Sequence, residues 1–165
     1  MAALGIIWAD GVWNNSIWDT AIWEQTGGDV TAPTLSSPTA TATGTTTGSG
    51  SVTTDEAGTG YWIATTVNGT PTYTQIQAGQ DSSGTATAVI DDNHSSPASW
   101  TVGINNISIT GGTQGTLYYV YYQSDDASSN HSSVVGVSFT TFSTGGGSGT
   151  ARVTSSGGLR GVKVL

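Results

Sequence analysis

Few residues in this chain have side chains suited to chemistry, and they stand in short groups. Asp91-Asp92-Asn93-His94 and Asp125-Asp126 place acids side by side, and His131 follows the second pair. Adjacent carboxylates can offer oxygen ligands to Ca²⁺, but a dedicated calcium loop alternates its acids and closes on a Glu, and neither group does so. These acids are therefore expected to be solvated turn residues, with no metal. His131 has no acid at a fixed spacing and no nucleophile elbow in the sequence, so a hydrolase triad is not supported. Gly145-Gly146-Gly147-Ser148-Gly149 lacks the Lys and following helix that phosphate binding requires. The absence of cysteine removes disulfides, zinc fingers, iron–sulfur clusters and thiol catalysis together. Asn68-Gly69-Thr70 and Asn106-Ile107-Ser108 fit the glycosylation pattern, which matters only in a secreted chain. The expectation is a protein without enzymatic activity and without a cofactor.

The elements that carry these groups follow from composition. The chain has 165 residues and a mass of 16.7 kDa, enough for one ordinary domain and tails. It holds 29 Thr, 21 Ser and 24 Gly, and charged residues make up 8%, where about 25% is usual. Such a chain has little helix-forming material, so an all-β fold is expected. Eleven acids against three bases give a net charge of −8, which excludes the basic face that nucleic acids need and disfavours anionic membranes. No stretch is apolar enough to span a bilayer. The first ten residues lack the cationic start of a secretory signal, so synthesis in a cytoplasm is expected.

Charge is segregated along the chain. All acids fall between Asp10 and Asp126, whereas Arg152, Arg160 and Lys163 all lie in the last fourteen residues. Four parts result: a Trp-rich arm over 1–28, a β-domain over 29–142, a Gly/Ser linker over 143–150, and a basic arm over 151–165. In the first, Trp8, Trp13, Trp18 and Trp23 recur every five residues, each preceded by Ile7, Val12, Ile17 or Ile22. On an α-helix a step of five turns through about 500°, so no single face collects the indoles. The blocks resemble pentapeptide-repeat β-helices over about one coil, which cannot bury its own faces without stacked neighbours. Four Trp can remove on the order of 600–1000 Å² from water. These eight residues, with Arg152, Arg160, Lys163 and Leu165, are expected to form an assembly interface.

In the middle part, strands are predicted at 33–46, 49–55, 60–67, 84–90, 99–107, 116–124 and 133–142, with one helical turn within 71–79. In Leu117-Tyr118-Tyr119-Val120-Tyr121-Tyr122, alternation puts Leu117, Tyr119 and Tyr121 on one face and Tyr118, Val120 and Tyr122 on the other. The first face, with Trp62 and Trp100, is assigned to the core. Tyr118 and Tyr122 are left as a possible ligand surface for sugars or protein.

Asp29-Val-Thr-Ala-Pro-Thr-Leu-Ser, Gly60-Tyr-Trp-Ile-Ala-Thr-Thr and Ile107–Ser132 resemble fibronectin type III and immunoglobulin-like modules of tailed-bacteriophage virion accessory proteins. The resemblance implies a single sandwich of about seven strands with extended N- and C-terminal arms. It puts Tyr119 at the strand-F tyrosine and Asp125–Asn130 in the F–G loop. It also implies a non-enzymatic virion protein, a capsid decoration or cement subunit anchored by its arms. The expected partners are other virion proteins, chiefly the major capsid protein, and copies of itself. A tail or fibre appendage and a carbohydrate-binding adhesive module, acting on host-surface glycans, are the alternatives.

Overall fold

A computed structural model of the chain describes residues 28–144. The arm residues Ile7, Trp8, Val12, Trp13, Ile17, Trp18, Ile22, Trp23, Arg152, Arg160, Lys163 and Leu165 lie outside the described residues.

Eight strands form two antiparallel sheets: β1 (Leu35–Ala42), β2 (Gly48–Thr54), β3 (Gly58–Thr65), β4 (Val89–Asp92), β5 (Ala98–Trp100), β6 (Gly103–Ile109), β7 (Leu117–Asp125) and β8 (Val135–Thr140). One sheet runs β1-β2-β6; the other runs β4-β3-β7-β8, with β5 also paired to β3. In β2 and β6 alternate residues are buried, the period of a sheet with one covered face. Their Val52, Ile107 and Ile109 meet Trp62, Ala64, Val120, Tyr122 and Phe139 of the second sheet in one core, as in a β-sandwich.

Glycine makes two close approaches possible inside that core. A Cβ on Gly60 would overlap the Trp100 indole, and one on Gly50 would overlap the Tyr122 hydroxyl. Trp100 is thereby held flat on β3, and Tyr122 donates its O–H to the Thr39 carbonyl at 2.8 Å across the sandwich.

Two expected strands are corrected. The 99–107 run breaks at Thr101-Val102, and its halves join different sheets: β5 pairs with β3 and β6 with β2. Gly103, at φ +104°, permits the change of direction, and Asn105 closes the corner through Thr101 N–H and the Thr101 and Gly103 carbonyls. The 84–90 run is mostly turn, because the Asp81 carboxylate accepts from Ser83 N–H and pulls the chain round; pairing starts only at Val89. In the first strand Pro38 coincides with a bulge between Ser36 and Thr39, which an edge strand accommodates. The expected helical turn is α1 (Tyr73–Gln77), started by a capping box in which Thr72 and Gln75 bond each other's backbone N–H.

The faces of β7 are inverted relative to expectation. Tyr118 and Tyr122, assigned to a ligand surface, are 1% and 0% exposed in the main core. Leu117, assigned to the core, is 46% exposed. Tyr119 and Tyr121 lie on the outer side, where Tyr121 packs with Ile63 and with Ile76 of α1 in a separate small cluster that Tyr119 flanks. Trp62 and Trp100 are buried in the main core. The cause is the segment between β3 and β4: it crosses the outer face and makes that face apolar too, so alternation alone cannot tell the two apart.

Candidate functional site

The strand directions gather loops at two ends. At one, residues 28–34 lead into β1 beside the β2–β3 turn (55–57) and the β7–β8 loop (126–134). Asn130 Nδ2 donates to the Asp29 carbonyl at 2.9 Å, and Thr34 N–H donates to Asp55 Oδ1 at 2.6 Å. At the other end lie the β1–β2 turn (43–47), the β6–β7 loop (110–116) and the end of β8 (141–144), joined by Gly112 N–H to the Thr46 carbonyl and Phe142 N–H to the Gly44 carbonyl.

The described body has eight carboxylates and no Lys or Arg. Five of them, Asp29, Asp55, Glu56, Asp125 and Asp126, stand at the first end. Three come together from stretches far apart in sequence: carboxylate oxygens of Asp29, Glu56 and Asp126 all lie within 4.8 Å of one another. The backbone explains two of them. Asp126 turns the β7–β8 loop, its Oδ1 accepting from Ser128 and Asn130 N–H at 2.8 Å each and its Oδ2 from Asn130 Nδ2 at 2.7 Å. Asp29 Oδ1 accepts from Thr31 N–H at 2.9 Å. Glu56 is different, because its Oε2 is buried and has no hydrogen-bond donor.

The electrostatics follow this division. The Asn130 side chain, with backbone donors, holds Asp126 below the usual carboxylate range, and the Thr34 backbone N–H does the same for Asp55. Glu56 is pushed up, first by burial and then by the charges of Asp29, Asp126 and Asp55.

Beside this cluster His131 Nδ1 lies 2.6 Å from Asp125 Oδ1, and its ring stacks on Tyr73 with centroids 4.0 Å apart. Asp125 Oδ2 accepts from Gln77 Nε2 at 2.8 Å, which ties α1 to the loop. Ser133 lines the same shallow cleft as His131, with Ala32, Pro33, Thr34 and Leu35. Among the described residues the His131 ring is hydrogen-bonded to the Asp125 carboxylate and to no hydroxyl.

The other sequence-selected group is built into the fold. Asp91 Oδ2 accepts from Thr110 N–H at 2.6 Å, Asp92 pairs with His94, and Asn93 bonds Trp62 N–H and the Gly60 carbonyl, stitching the turn after β4 onto β3. On the outer sheet face a cleft of about 280 Å³ is lined by Tyr119, Tyr121, Asn68, Thr70 and Ser138. Tyr121 there is held by its hydroxyl, which accepts from Gly69 N–H at 3.1 Å.

Sequence inspection picked out Asp125, Asp126 and His131 but missed Asp29 and Glu56. Asp29 stands alone and Glu56 follows Asp55, and each is 27 residues or more from its nearest partner in the cluster. The signal that could find them is strand pairing, which sets the β2–β3 turn beside the β7–β8 loop. Comparison of the chain with family models, with curated proteins and with solved structures finds no match.

Proposed function

We propose that this chain is a non-enzymatic structural protein of a bacteriophage virion, a capsid decoration or cement subunit that displays an immunoglobulin-like domain and attaches through its terminal arms. The observation that carries this reading is the separation of chemistries: a polar body with eight acids and no Lys or Arg stands between a Trp-repeat segment and a segment holding every base. The segments join the body at opposite ends, one at residue 28 beside the acidic loops and the other at residue 144. The body is suited to exposure and the segments to attachment.

The domain type is supported by strand order. Lettered as an immunoglobulin-like module, β1, β2 and β6 take the places of A, B and E, and β3, β7 and β8 those of C, F and G. The strand between C and E, β4, pairs with C instead of E, as in the fibronectin type III variant. Tyr118 adds a second support: its hydroxyl accepts from Thr113 N–H at 2.7 Å, five residues upstream, the bond of a tyrosine corner. In this reading Tyr118 takes the role for which the resemblance put forward Tyr119.

In this reading the protein is made in the host cytoplasm and enters the particle by binding the major capsid protein and copies of itself. Deleting 1–25 or 151–165 is expected to abolish incorporation into particles while the sandwich still folds. Unchanged incorporation of both variants overturns the attachment model.

The outer cleft favours one second reading, a carbohydrate-binding adhesive module. Tyr119 and Tyr121 offer aromatic surface beside the polar Asn68, Thr70 and Ser138, the pairing that sugars require. A glycan array in which the wild type binds and Tyr119→Ala does not would establish it, and an array without hits would remove it.

A further inference from the structure

Of the seven Asn in the chain, only Asn68 is followed by Gly. In an Asn-Gly pair the backbone nitrogen attacks the preceding side-chain amide most readily, because Gly69 has no Cβ to shield its nitrogen and has wide freedom of φ. The fold keeps both requirements in place. Asn68 is exposed in the segment after β3, whereas Asn93, Asn105 and Asn130 have Nδ2 tied to carbonyl or carboxylate oxygens and are followed by His94, Asn106 and His131. Packing reserves position 69 for glycine, since a Cβ there would run into the Ser82 hydroxyl. One contact opposes the reaction: Gly69 N–H, at the nitrogen that would attack, donates to the Tyr121 hydroxyl at 3.1 Å. Tyr121 is 6% exposed and packed with Ile63 and Ile76, so its hydroxyl is a fixed acceptor. To reach Asn68 Cγ the nitrogen must leave that bond and lose its proton.

We propose that Asn68-Gly69 is a site of spontaneous deamidation opening onto the outer cleft, and that the Tyr121 hydroxyl restrains the reaction in the folded protein. The Gly69 nitrogen gives its proton to water and bonds to Asn68 Cγ; the Cγ–Nδ2 bond breaks, and Nδ2 leaves as ammonia. Water then opens the resulting succinimide at either carbonyl, leaving aspartate or isoaspartate. The net change is asparagine plus water to an acid plus ammonia, with nothing oxidised or reduced and no enzyme or cofactor needed. Its effect falls on the cleft lined by Asn68, Thr70, Tyr119, Tyr121 and Ser138, whose lining includes no charged side chain beforehand. Afterwards a carboxylate stands in place of the amide: the two donors of Nδ2 are lost, and no Lys or Arg among the described residues offsets the new charge. The outer cleft thus turns from neutral to anionic as the protein ages, at a rate that Tyr121 sets.

The test is to store the full-length protein in warm, mildly alkaline buffer and follow conversion at each Asn by peptide mass spectrometry, with pepsin digestion in acid so that handling adds none. Folded wild type is expected to convert at Asn68 before Asn93, Asn105, Asn106 or Asn130, yet about tenfold or more slowly than the same chain unfolded in guanidinium chloride. Tyr121→Phe keeps the ring and removes the acceptor, so conversion at Asn68 should rise about fivefold, the factor one hydrogen bond is worth, with no rise at Asn93 or Asn130. Ile76→Val loosens the same small cluster but keeps the hydroxyl, and its rate at Asn68 should match that of wild type. Conversion in folded wild type as fast as in the unfolded chain overturns the restraint, as does an unchanged rate in Tyr121→Phe or an equal acceleration in Ile76→Val. An Asn68 that stays intact even in the unfolded chain overturns the site.

Discussion

The two ends of the sandwich close their loops by opposite means. At the end near residue 144 the three loop segments contain no charged residue and are joined by neutral bonds. Thr141 Oγ1 donates to the Thr113 carbonyl at 2.5 Å and accepts from Thr116 N–H at 3.0 Å, while the Tyr118 hydroxyl takes Thr113 N–H; Asp91 adds one carboxylate, which accepts from both Thr110 N–H and Thr110 Oγ1. At the end near residue 28, five carboxylates crowd together and one keeps a buried oxygen without a donor. The first arrangement satisfies its buried polar groups and so holds the fold. The second sustains like-charge repulsion that no Lys or Arg among the described residues offsets.

Substitutions can break this contrast. Tyr118→Ala should be the most damaging, at about 3–5 kcal/mol by urea unfolding, because the ring is fully buried against Phe139. Tyr118→Phe keeps the ring and strands the Thr113 N–H, for about 1–3 kcal/mol. Comparable losses from Asp29→Asn would refute the division of labour between the ends.

Asp81, away from both ends, supplies a control with an unambiguous sign. It is fully buried and held below the usual carboxylate range, chiefly by the Ser83 hydroxyl. A folded-state pKa below the unfolded one stabilises the protein above about pH 4, and this contribution is lost as pH falls through the lowered value. Asp81→Asn is therefore expected to be less stable than wild type at pH 7, with the gap narrowing below about pH 4. A gap that stays constant with pH would show that Asp81 acts through shape and not through charge. Smallest is Tyr119→Ala on the outer cleft, expected below about 1 kcal/mol, since this tyrosine only flanks the small cluster.

Much of the architecture was legible from residue types. Thr, Ser and Gly in place of Lys, Glu and Leu pointed to an all-β chain, and alternation located most strands within about two residues. The face of β7 was not legible, because Tyr119 and Tyr121 are covered by the segment carrying α1, and a strand apolar on both sides carries no directional signal. The corner at Thr101-Val102 was hidden because nothing in Ala98–Ile109 looks like a break except Gly103. Of the acidic cluster only Asp126 was legible, through its pair with Asp125; Asp29 and Glu56 become its neighbours only through tertiary pairing.

The central claim is that the acidic body is displayed while chemically different segments at its two ends attach it. A map of the native phage particle tests it most directly. The account predicts symmetric copies of a sandwich-sized density standing out from the capsid, connected to the shell through residues 1–27 and 145–165. Particles that lack the protein, or a sandwich embedded in the shell with both terminal segments free, would contradict it.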